Sequence, residues 1–281
     1  FLVAASLIFC AIIAPIIAPY SPYEPATLNL MNGFSAPLVT NEFTGDTFVF
    51  GADDQGRDIF STILYGMRIS LFVGFSAVLF AMVLGVILGL IAAMVGGITD
   101  AIIMRIADIQ LSFPSILIAM LIFGIAKGIT PPDLRNQMAI WVLILSIGLS
   151  DWVQFARVVR GSAMVELQKE YVEAAKLIGV HPIAISLRHI FPNVLPSVLV
   201  IATISLALAI ISEATLSFLG VGAPPTQPSL GTLIRIGQGF LFSGEWWIIF
   251  FPSLALLLLA LSVNLLGDWL RNTLDPNLGI K

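Results

Sequence analysis

QKEYVEAAKLIGVHPIAISLRHIFPN, residues 168–193, is a charged, histidine-containing stretch between two long apolar runs, and it decides the fold. The sequence from 166 to 178 predicts a helix in which Glu170, Glu173 and Lys176 share one side. The apolar positions of this helix are Val172, Ala175 and Leu177. The pattern therefore predicts an amphipathic helix at the edge of an otherwise apolar protein.

A turn and a second helix follow in the same stretch. Gly179 can leave helical geometry at little steric cost. His181-Pro182 is typical of a helix start, because proline is well tolerated in a first turn. Residues 183–191 predict a short helix that ends at Pro192-Asn193. The stretch is thus predicted to form a helix, a glycine turn and a second helix between two apolar runs. Such a shape is suited to fit a pocket on the surface of another protein.

The composition indicates a membrane protein. Of 281 residues, 58% are hydrophobic and 11% are charged, whereas roughly a quarter of the residues of a soluble domain are charged. The net charge of −4 gives no reason to expect nucleic-acid binding. The one cysteine, Cys10, cannot form a disulfide within the chain and is interpreted as a small core residue.

Six apolar stretches are long enough to cross a bilayer, which takes about 20 residues each. We expect each to be a helix, because backbone groups find no water to bond within lipid. The first begins at Phe1 and is interpreted as the remaining part of a span that a cytoplasmic tail precedes. Glycines in the second stretch, such as Gly74, Gly85 and Gly89, predict close helix contacts. The six stretches are 1–19, 68–95, 99–126, 138–160, 194–215 and 246–267.

The distribution of Lys and Arg predicts the orientation in the membrane. Five basic residues cluster around the stretch at 168–193, which we therefore expect to be cytoplasmic: Arg157, Arg160, Lys169, Lys176 and Arg188. Counting spans outward then places both chain ends in the cytoplasm. Residues 20–67 become an outer segment, predicted to be loop up to about Arg57, with a short helix over Asp58–Tyr65.

Charged residues at the ends of spans have structural and functional interpretations. Arg105 and Asp108 are one turn apart and are predicted to pair as an anchor, and Pro114 is predicted to kink the same helix. Glu213 ends an apolar run and is costly in a membrane unless it is paired or hydrated. It either lies in a translocation path or gate, with Ser217 and Phe218, or caps the following loop or pairs with another subunit.

The sequence lacks the motifs that several kinds of catalysis, metal binding and ion-driven transport require. The chain has no G-x-x-x-x-G-K-[ST] phosphate-binding loop, and no H-E-x-x-H or Cys/His cluster suggests a bound metal. No nucleophile or acidic partner is arranged with His181 or His189, so no catalytic residue is assigned. The spans lack a chain of acidic and basic residues of the kind that proton-driven pumps use. The energy for any transport must therefore come from another protein.

Four motifs resemble one family. Glu173-Ala174-Ala175, Gly179 and Ile190-Phe191-Pro192 resemble the EAA loop of membrane subunits of ABC importers. The other three are similar to the dipeptide/oligopeptide/nickel permease branch of that family: 51–58 with Tyr65-Gly66, 217–222 with Pro224-Pro225, and 264–268 continuing through 274–276.

The resemblance implies an all-α membrane protein with six transmembrane helices and the type I ABC importer permease fold. It implies a transmembrane core over 68–269, a coupling loop over 166–193 and a cytoplasmic tail over 270–281. It further implies a heterodimer with a second homologous permease, two ATPase subunits that bind ATP and Mg, and a periplasmic or lipid-anchored solute-binding protein. This chain would bind no cofactor and would lie in the bacterial inner membrane. The outer segment 20–67 would contact the solute-binding protein, cover the bundle as a lid, or do both.

The residues expected to transmit the work of the ATPases all lie in the loop: Glu170, Glu173, Ala174, Ala175, Gly179, His181, Pro182, Arg188 and Pro192. The implied function is a permease subunit for di- or oligopeptides, with nickel, glutathione-like and sugar cargoes as alternatives. Two other classes remain open, a secondary transporter or channel that works alone and a membrane scaffold that only recruits an ATPase. Co-purification with ATPase chains and a second six-span subunit would distinguish the importer from both.

Overall fold

The computed structural model describes residues 2–24 and 28–274, and within these ranges the protein is helical apart from turns and two isolated β-bridges. The α-helices are α1 Leu2–Ile12, α2 Ala14–Ile17, α3 Ile59–Val95, α4 Gly97–Leu111, α5 Ser115–Ile129, α6 Arg135–Glu166, α7 Glu170–Leu177, α8 Pro182–Ile185, α9 Phe191–Phe218, α10 Leu230–Gln238 and α11 Trp247–Leu274. The predicted tail at 270–281 lies outside the described residues from 275 onward.

Among the described residues, four helical segments are long and apolar enough to cross a membrane, at 59–95, 132–166, 182–218 and 247–269. Helices α4 and α5 make a fifth if the bent pair is one span. The expected count of six is not confirmed. The first predicted span instead forms α1, of 11 residues, and α2, of 4 residues, and the chain between them departs from helical geometry at Ile13. Both are shorter than the roughly 20 residues that a span requires.

The third predicted span is broken rather than kinked. Helix α4 ends at Leu111, α5 begins at Ser115, and the two axes differ by 97°. Pro114 stands at the start of α5, as a helix-breaking residue should. The change of direction predicted at this proline is therefore confirmed, whereas the predicted continuous helix is wrong, because the helix stops at Leu111 and restarts at Ser115.

The outer segment is ordered by polar contacts. Asp53 and Arg57 form a buried ion pair, with 2.6 Å between the carboxylate Oδ2 and the guanidinium Nε. Asp58 caps α3, since its carboxylate accepts a hydrogen bond from the Ser61 amide at 2.9 Å. The short helix expected over 58–65 is the beginning of α3, which continues without a break to Val95.

Three apolar clusters form the core of the described residues. The largest joins α3, α5, α6, α7, α8 and α9, the second joins α1, α2, α3, α9, α10 and α11, and a small third cluster joins α4 to α6. Helices α3 and α6 approach so closely at Gly85 that a Cβ there would lie 2.5 Å from the Cβ of Phe155. The close packing predicted from the glycines of α3 is thus confirmed.

Candidate functional site

The 166–193 loop begins with a break that the sequence pattern does not reveal. The helix expected over 166–178 is wrong, because α6 ends at Glu166 and α7 starts at Glu170, with Lys169 extended between them. The Glu166 carboxylate accepts hydrogen bonds from Lys169 Nζ, at 2.6 Å, and from the Tyr171 hydroxyl. These bonds fold the chain back on the end of α6.

Tyr171 also ties the loop to the start of α9. Its hydroxyl accepts a hydrogen bond from Asn193 Nδ2 at 3.1 Å, and the same Asn193 nitrogen donates to the His189 carbonyl at 2.6 Å. Partial desolvation and the bond to Glu166 raise the pKa of the Tyr171 hydroxyl. One tyrosine therefore connects the last turn of α6, α7 and the first turn of α9.

Gly179 ends α7 with a Schellman turn. Its φ is +80°, its amide donates to the Lys176 carbonyl, and the Val180 amide donates to the Ala175 carbonyl. His181 then caps α8, with its Nδ1 accepting from the Ile183 amide at 3.3 Å, and Pro182 occupies the first helical position. The glycine turn and the new helix start are placed where the sequence predicted them.

The second short helix does not stop at Pro192, so that prediction is wrong. A π-helical turn over Ser186–Ile190 joins α8 to α9, and α9 runs through Pro192 and Pro196 to Phe218. In this wider π turn, the Phe191 amide donates a hydrogen bond to the Ser186 carbonyl, five residues back. This adjustment accommodates a proline that would clash with a regular α-helix.

The loop buries one face and exposes the other. Val172, Ala175, Ile185 and Ile190 are buried in the core cluster of the bundle. The exposed face includes large apolar side chains: Leu177 at 87%, Ile178 at 80% and Ile183 at 63% exposure. Of the residues expected to couple the loop to ATPases, only Ala175 is buried, and the exposed ones are Glu170, Glu173, Ala174, Gly179, His181, Pro182, Arg188 and Pro192.

Sequence reasoning missed two features of this loop. It did not find the Tyr171–Asn193 connection, whose partners are 22 residues apart. It treated Leu177 as one of several apolar positions of a helix, whereas Leu177 lies off the face that buries Val172 and Ala175 and is 87% exposed. The sequence signal for this exposed apolar surface was the pair Leu177-Ile178, which stands directly before the turn residue Gly179.

Glu213 lies in a closed polar cluster on α9. It is fully buried, and its carboxylate accepts hydrogen bonds from Ser70 Oγ of α3 and Ser217 Oγ of α9, both at 2.7 Å. Each serine oxygen accepts a bond in turn: Ser70 from the Leu230 amide at 3.3 Å and Ser217 from the Ala223 amide at 3.1 Å. Glu213 therefore connects two spans with the loop between α9 and α10. Phe218, the last residue of α9, is half-buried.

Two ion pairs fix the broken span to α6. Asp108 pairs with Arg157, and Asp100 pairs with Arg160, whose Nη2 lies 2.6 Å from the carboxylate Oδ2. The pair predicted between Arg105 and Asp108 is wrong. Asp108 instead meets a basic residue that is 49 positions away in sequence, which helical spacing could not indicate.

A family model described as "Binding-protein-dependent transport system inner membrane component" matches residues 85–280. The sequences of related proteins align with nearly the whole chain. The dipeptide transport system permease protein DppC of Haemophilus influenzae is 37% identical over 268 residues, which cover 95% of this chain and 86% of that protein. The di/tripeptide transport system permease protein DppC of Pseudomonas aeruginosa is 34% identical, with 97% and 85% covered.

Solved structures of low sequence identity share the fold. A chain of the MetNI methionine ABC transporter, in an inward-facing conformation, superposes with a TM-score of 0.59 at 20% identity, covering 77% of this chain and 98% of its own. A chain of an amino acid ABC transporter gives a TM-score of 0.57 at 14% identity and covers 94% of its own length. The fold is thus the type I permease fold, and the chain belongs to the family of inner membrane components of binding-protein-dependent transport systems, the permease subunits of ABC importers.

Proposed function

We propose that this permease subunit forms half of the path of a di- or oligopeptide importer and receives mechanical work through the 166–193 loop. The observation that carries the proposal is the loop itself, which exposes Leu177, Ile178 and Ile183 at one end of the bundle while its other face is packed. The exposed charges of Glu170, Glu173 and Lys176 on the same helix keep this surface out of the hydrocarbon, and an exposed apolar surface in water marks a protein contact. Peptide is the proposed cargo because the relatives at 34–37% identity are named dipeptide and di/tripeptide permeases.

The proposed assembly has the partners expected of this family. A second, homologous permease completes the path. Two ATPase subunits, which bind ATP and Mg, contact the two permeases. A periplasmic or lipid-anchored solute-binding protein delivers the peptide to the outer side. This chain crosses the bacterial inner membrane with both ends and the 166–193 loop in the cytoplasm, and the basic residues around the loop support that orientation.

The loop is built to pass a displacement to two spans at once. Tyr171 is hydrogen-bonded to Glu166 at the end of α6 and to Asn193 at the start of α9. Because helices are stiff and their packed interfaces have discrete arrangements, movement of α7 would rock α6 and α9 together. We propose that ATP-driven closure of the ATPases moves α7 and so alternates access to the peptide path.

The test uses the assembled importer in vesicles. Gly179→Val and Glu173→Lys should each abolish uptake and uncouple ATPase activity from the binding protein, while the amount of inserted protein stays unchanged. The first substitution puts a β-branched residue at a φ of +80°, and the second reverses a charge on the exposed side of α7. Unchanged peptide uptake in both variants would rule out the proposed coupling role.

A further inference from the structure

One acidic residue lies within a membrane span. Asp151 is on helix α6, six residues and therefore about 9 Å before Arg157, which belongs to the cytoplasmic cluster of basic residues. The hydrocarbon core is about 30 Å thick, so Asp151 lies in its cytoplasmic half. An acid at this depth is costly and calls for a partner or for water.

The part of the chain that the structure describes supplies Asp151 with no basic partner. Arg157 and Arg160, which follow on the same helix, are paired with Asp108 and Asp100. The polar contact of Asp151 is with the Ser150 hydroxyl at 3.4 Å. That distance is long for a hydrogen bond between oxygens, and the Ser150 hydroxyl donates to the Ile147 carbonyl at 2.7 Å. The carboxylate is thus left with acceptor capacity.

The face of α6 that carries Asp151 is polar and only partly covered by this chain. Asp151 is half-buried, and Gln154, one turn further along the helix, is exposed. The residues directly before and after Gln154 are buried, namely Val153 and Phe155. The helix is therefore exposed here along a narrow stripe. Side chains of Asp and Gln are poorly suited to face lipid tails. The stripe therefore faces water, a polar molecule or a polar surface of the partner permease.

A fixed break in the neighbouring span lies at the same depth. Gln110, near the end of α4, donates from Nε2 to the carbonyls of Leu149 and Ser150 at 3.0 and 2.8 Å, and its Oε1 accepts from the Trp152 indole at 2.9 Å. The 97° bend after Leu111 therefore adjoins the turn of α6 that presents Asp151. Interrupted helices near the middle of the membrane are where transporters of other folds place their substrate sites.

We propose that Asp151 binds the ammonium group of a peptide during its passage, with Gln154 available to bond the peptide backbone. The inference rests on the proposed peptide cargo and names the cargo group that this chain recognises. A peptide's α-amino group is largely protonated at neutral pH. An ammonium offers three donors to a carboxylate that has acceptor capacity in a region of low dielectric, where such a charge-assisted bond is strong.

The first experiment measures uptake of radiolabelled dialanine by the whole importer in vesicles, at saturating binding protein. We expect Asp151→Asn to reduce uptake by about tenfold to a hundredfold, the range for loss of a bond to a charged group. Asp151→Glu should restore most of it, because the charge returns. The matched control is Asp133→Asn, which removes an exposed acid from the turn before α6 and should leave uptake unchanged.

The results separate the inference from the proposed function. If the unmodified importer takes up neither dialanine nor a longer alanine peptide, the peptide-import proposal fails. If it takes up dialanine and Asp151→Asn does so equally well, the inference alone fails. If Asp151→Asn is inactive and Asp151→Glu is equally inactive, the carboxylate is not acting by its charge, and the inference also fails.

The second experiment tests contact with the path directly. Asp151→Cys is introduced with Cys10→Ala, which removes the only natural thiol of this chain. A water-soluble cationic thiol reagent should modify the new cysteine in the assembled importer, and dialanine with its loaded binding protein should slow that reaction. Val153→Cys, at a position 1% exposed, is the buried control and should stay unmodified. An unreactive Asp151→Cys would indicate that another subunit covers the site and would overturn the inference.

Discussion

At the scale of single residues, Gly179 sets the angle between α7 and α8. Its φ of +80° is a conformation that side chains other than glycine adopt at a cost, yet an added Cβ would meet nothing within 4 Å. Gly179→Ala should therefore weaken the turn by about 1 kcal/mol through backbone strain alone. We expect faster hydrogen exchange at the Val180 amide, whose bond to the Ala175 carbonyl closes the turn.

The matched control for this prediction is Gly161→Ala. Gly161 lies within α6, and an added Cβ there also meets nothing within 4 Å. Because its backbone is helical, alanine should stabilise rather than strain it, by about 1 kcal/mol or less. If Val180 exchanges at the same rate in Gly179→Ala as in the unmodified protein, the turn does not depend on the glycine.

Glu213 gives the second prediction at this scale. Glu213→Gln keeps a carbonyl oxygen and an amide within reach of the two serine hydroxyls, whereas Glu213→Leu leaves Ser70 and Ser217 with unmet bonds. We expect the leucine variant to lose about 1–3 kcal/mol of stability and the glutamine variant to lose less. Thermal unfolding of the purified protein in detergent measures the difference, with exposed Glu170→Gln as the control. Equal losses for glutamine and leucine would show that the hydrogen bonds are not what Glu213 contributes.

The structural roles of some of these residues could be predicted from the local sequence, whereas the roles of others could not. Gly179, His181 and Asp58 act on backbone groups within a few positions of themselves, so their residue types were sufficient signals. The partner of Asp108 is 49 positions away and that of Asp100 is 60 positions away. Such pairs depend on how α4 packs against α6, which neither composition nor periodicity specifies.

At the scale of elements, the exposed side of α7 should make the contact with the ATPase. Leu177 is 87% exposed here, and burying a leucine side chain contributes roughly 1.5–3 kcal/mol. Leu177→Asp should therefore weaken binding of the ATPase subunits by about tenfold or more. Copurification of the ATPase and its stimulation by the binding protein measure the effect.

The control for this prediction changes an apolar residue of similar exposure elsewhere. Phe43, in the outer segment, is 83% exposed, and Phe43→Asp should leave ATPase binding unchanged. If Leu177→Asp retains full ATPase binding, the apolar end of α7 is not the contact surface. If both variants lose binding, the effect is a general loss of folding rather than a local one.

The boundaries of the helices were less predictable than their existence. Hydrophobic length identified α3, α6, α9 and α11, because a long apolar run in lipid can only be helical. It could not show that α9 continues through Pro192, since the π turn at Ser186–Ile190 makes room for that proline. It could not show the stop at Glu166 either, because side chains of Lys169 and Tyr171 produce it.

At the scale of the whole molecule, charge is divided between the two ends of the bundle. Basic residues surround the 166–193 loop, and the outer segment is rich in acids: Glu24, Glu42, Asp46, Asp53, Asp54 and Asp58. The loop and the outer segment are separated by full-length spans, since α3 leads away from Asp58 and α6 leads into Glu166. By the positive-inside rule we propose that the loop lies in the cytoplasm and residues 20–67 lie outside.

This orientation is testable with one pair of cysteines. In a Cys10→Ala background, Leu177→Cys and Phe43→Cys place single thiols on exposed positions of the loop and the outer segment. A reagent that cannot cross the membrane should modify Phe43→Cys in right-side-out vesicles and Leu177→Cys in inverted ones. The opposite result would reverse the topology. Labelling of both cysteines from one side would mean that the chain crosses an even number of times between residues 43 and 177, so that α3, the bent α4–α5 pair or α6 does not cross.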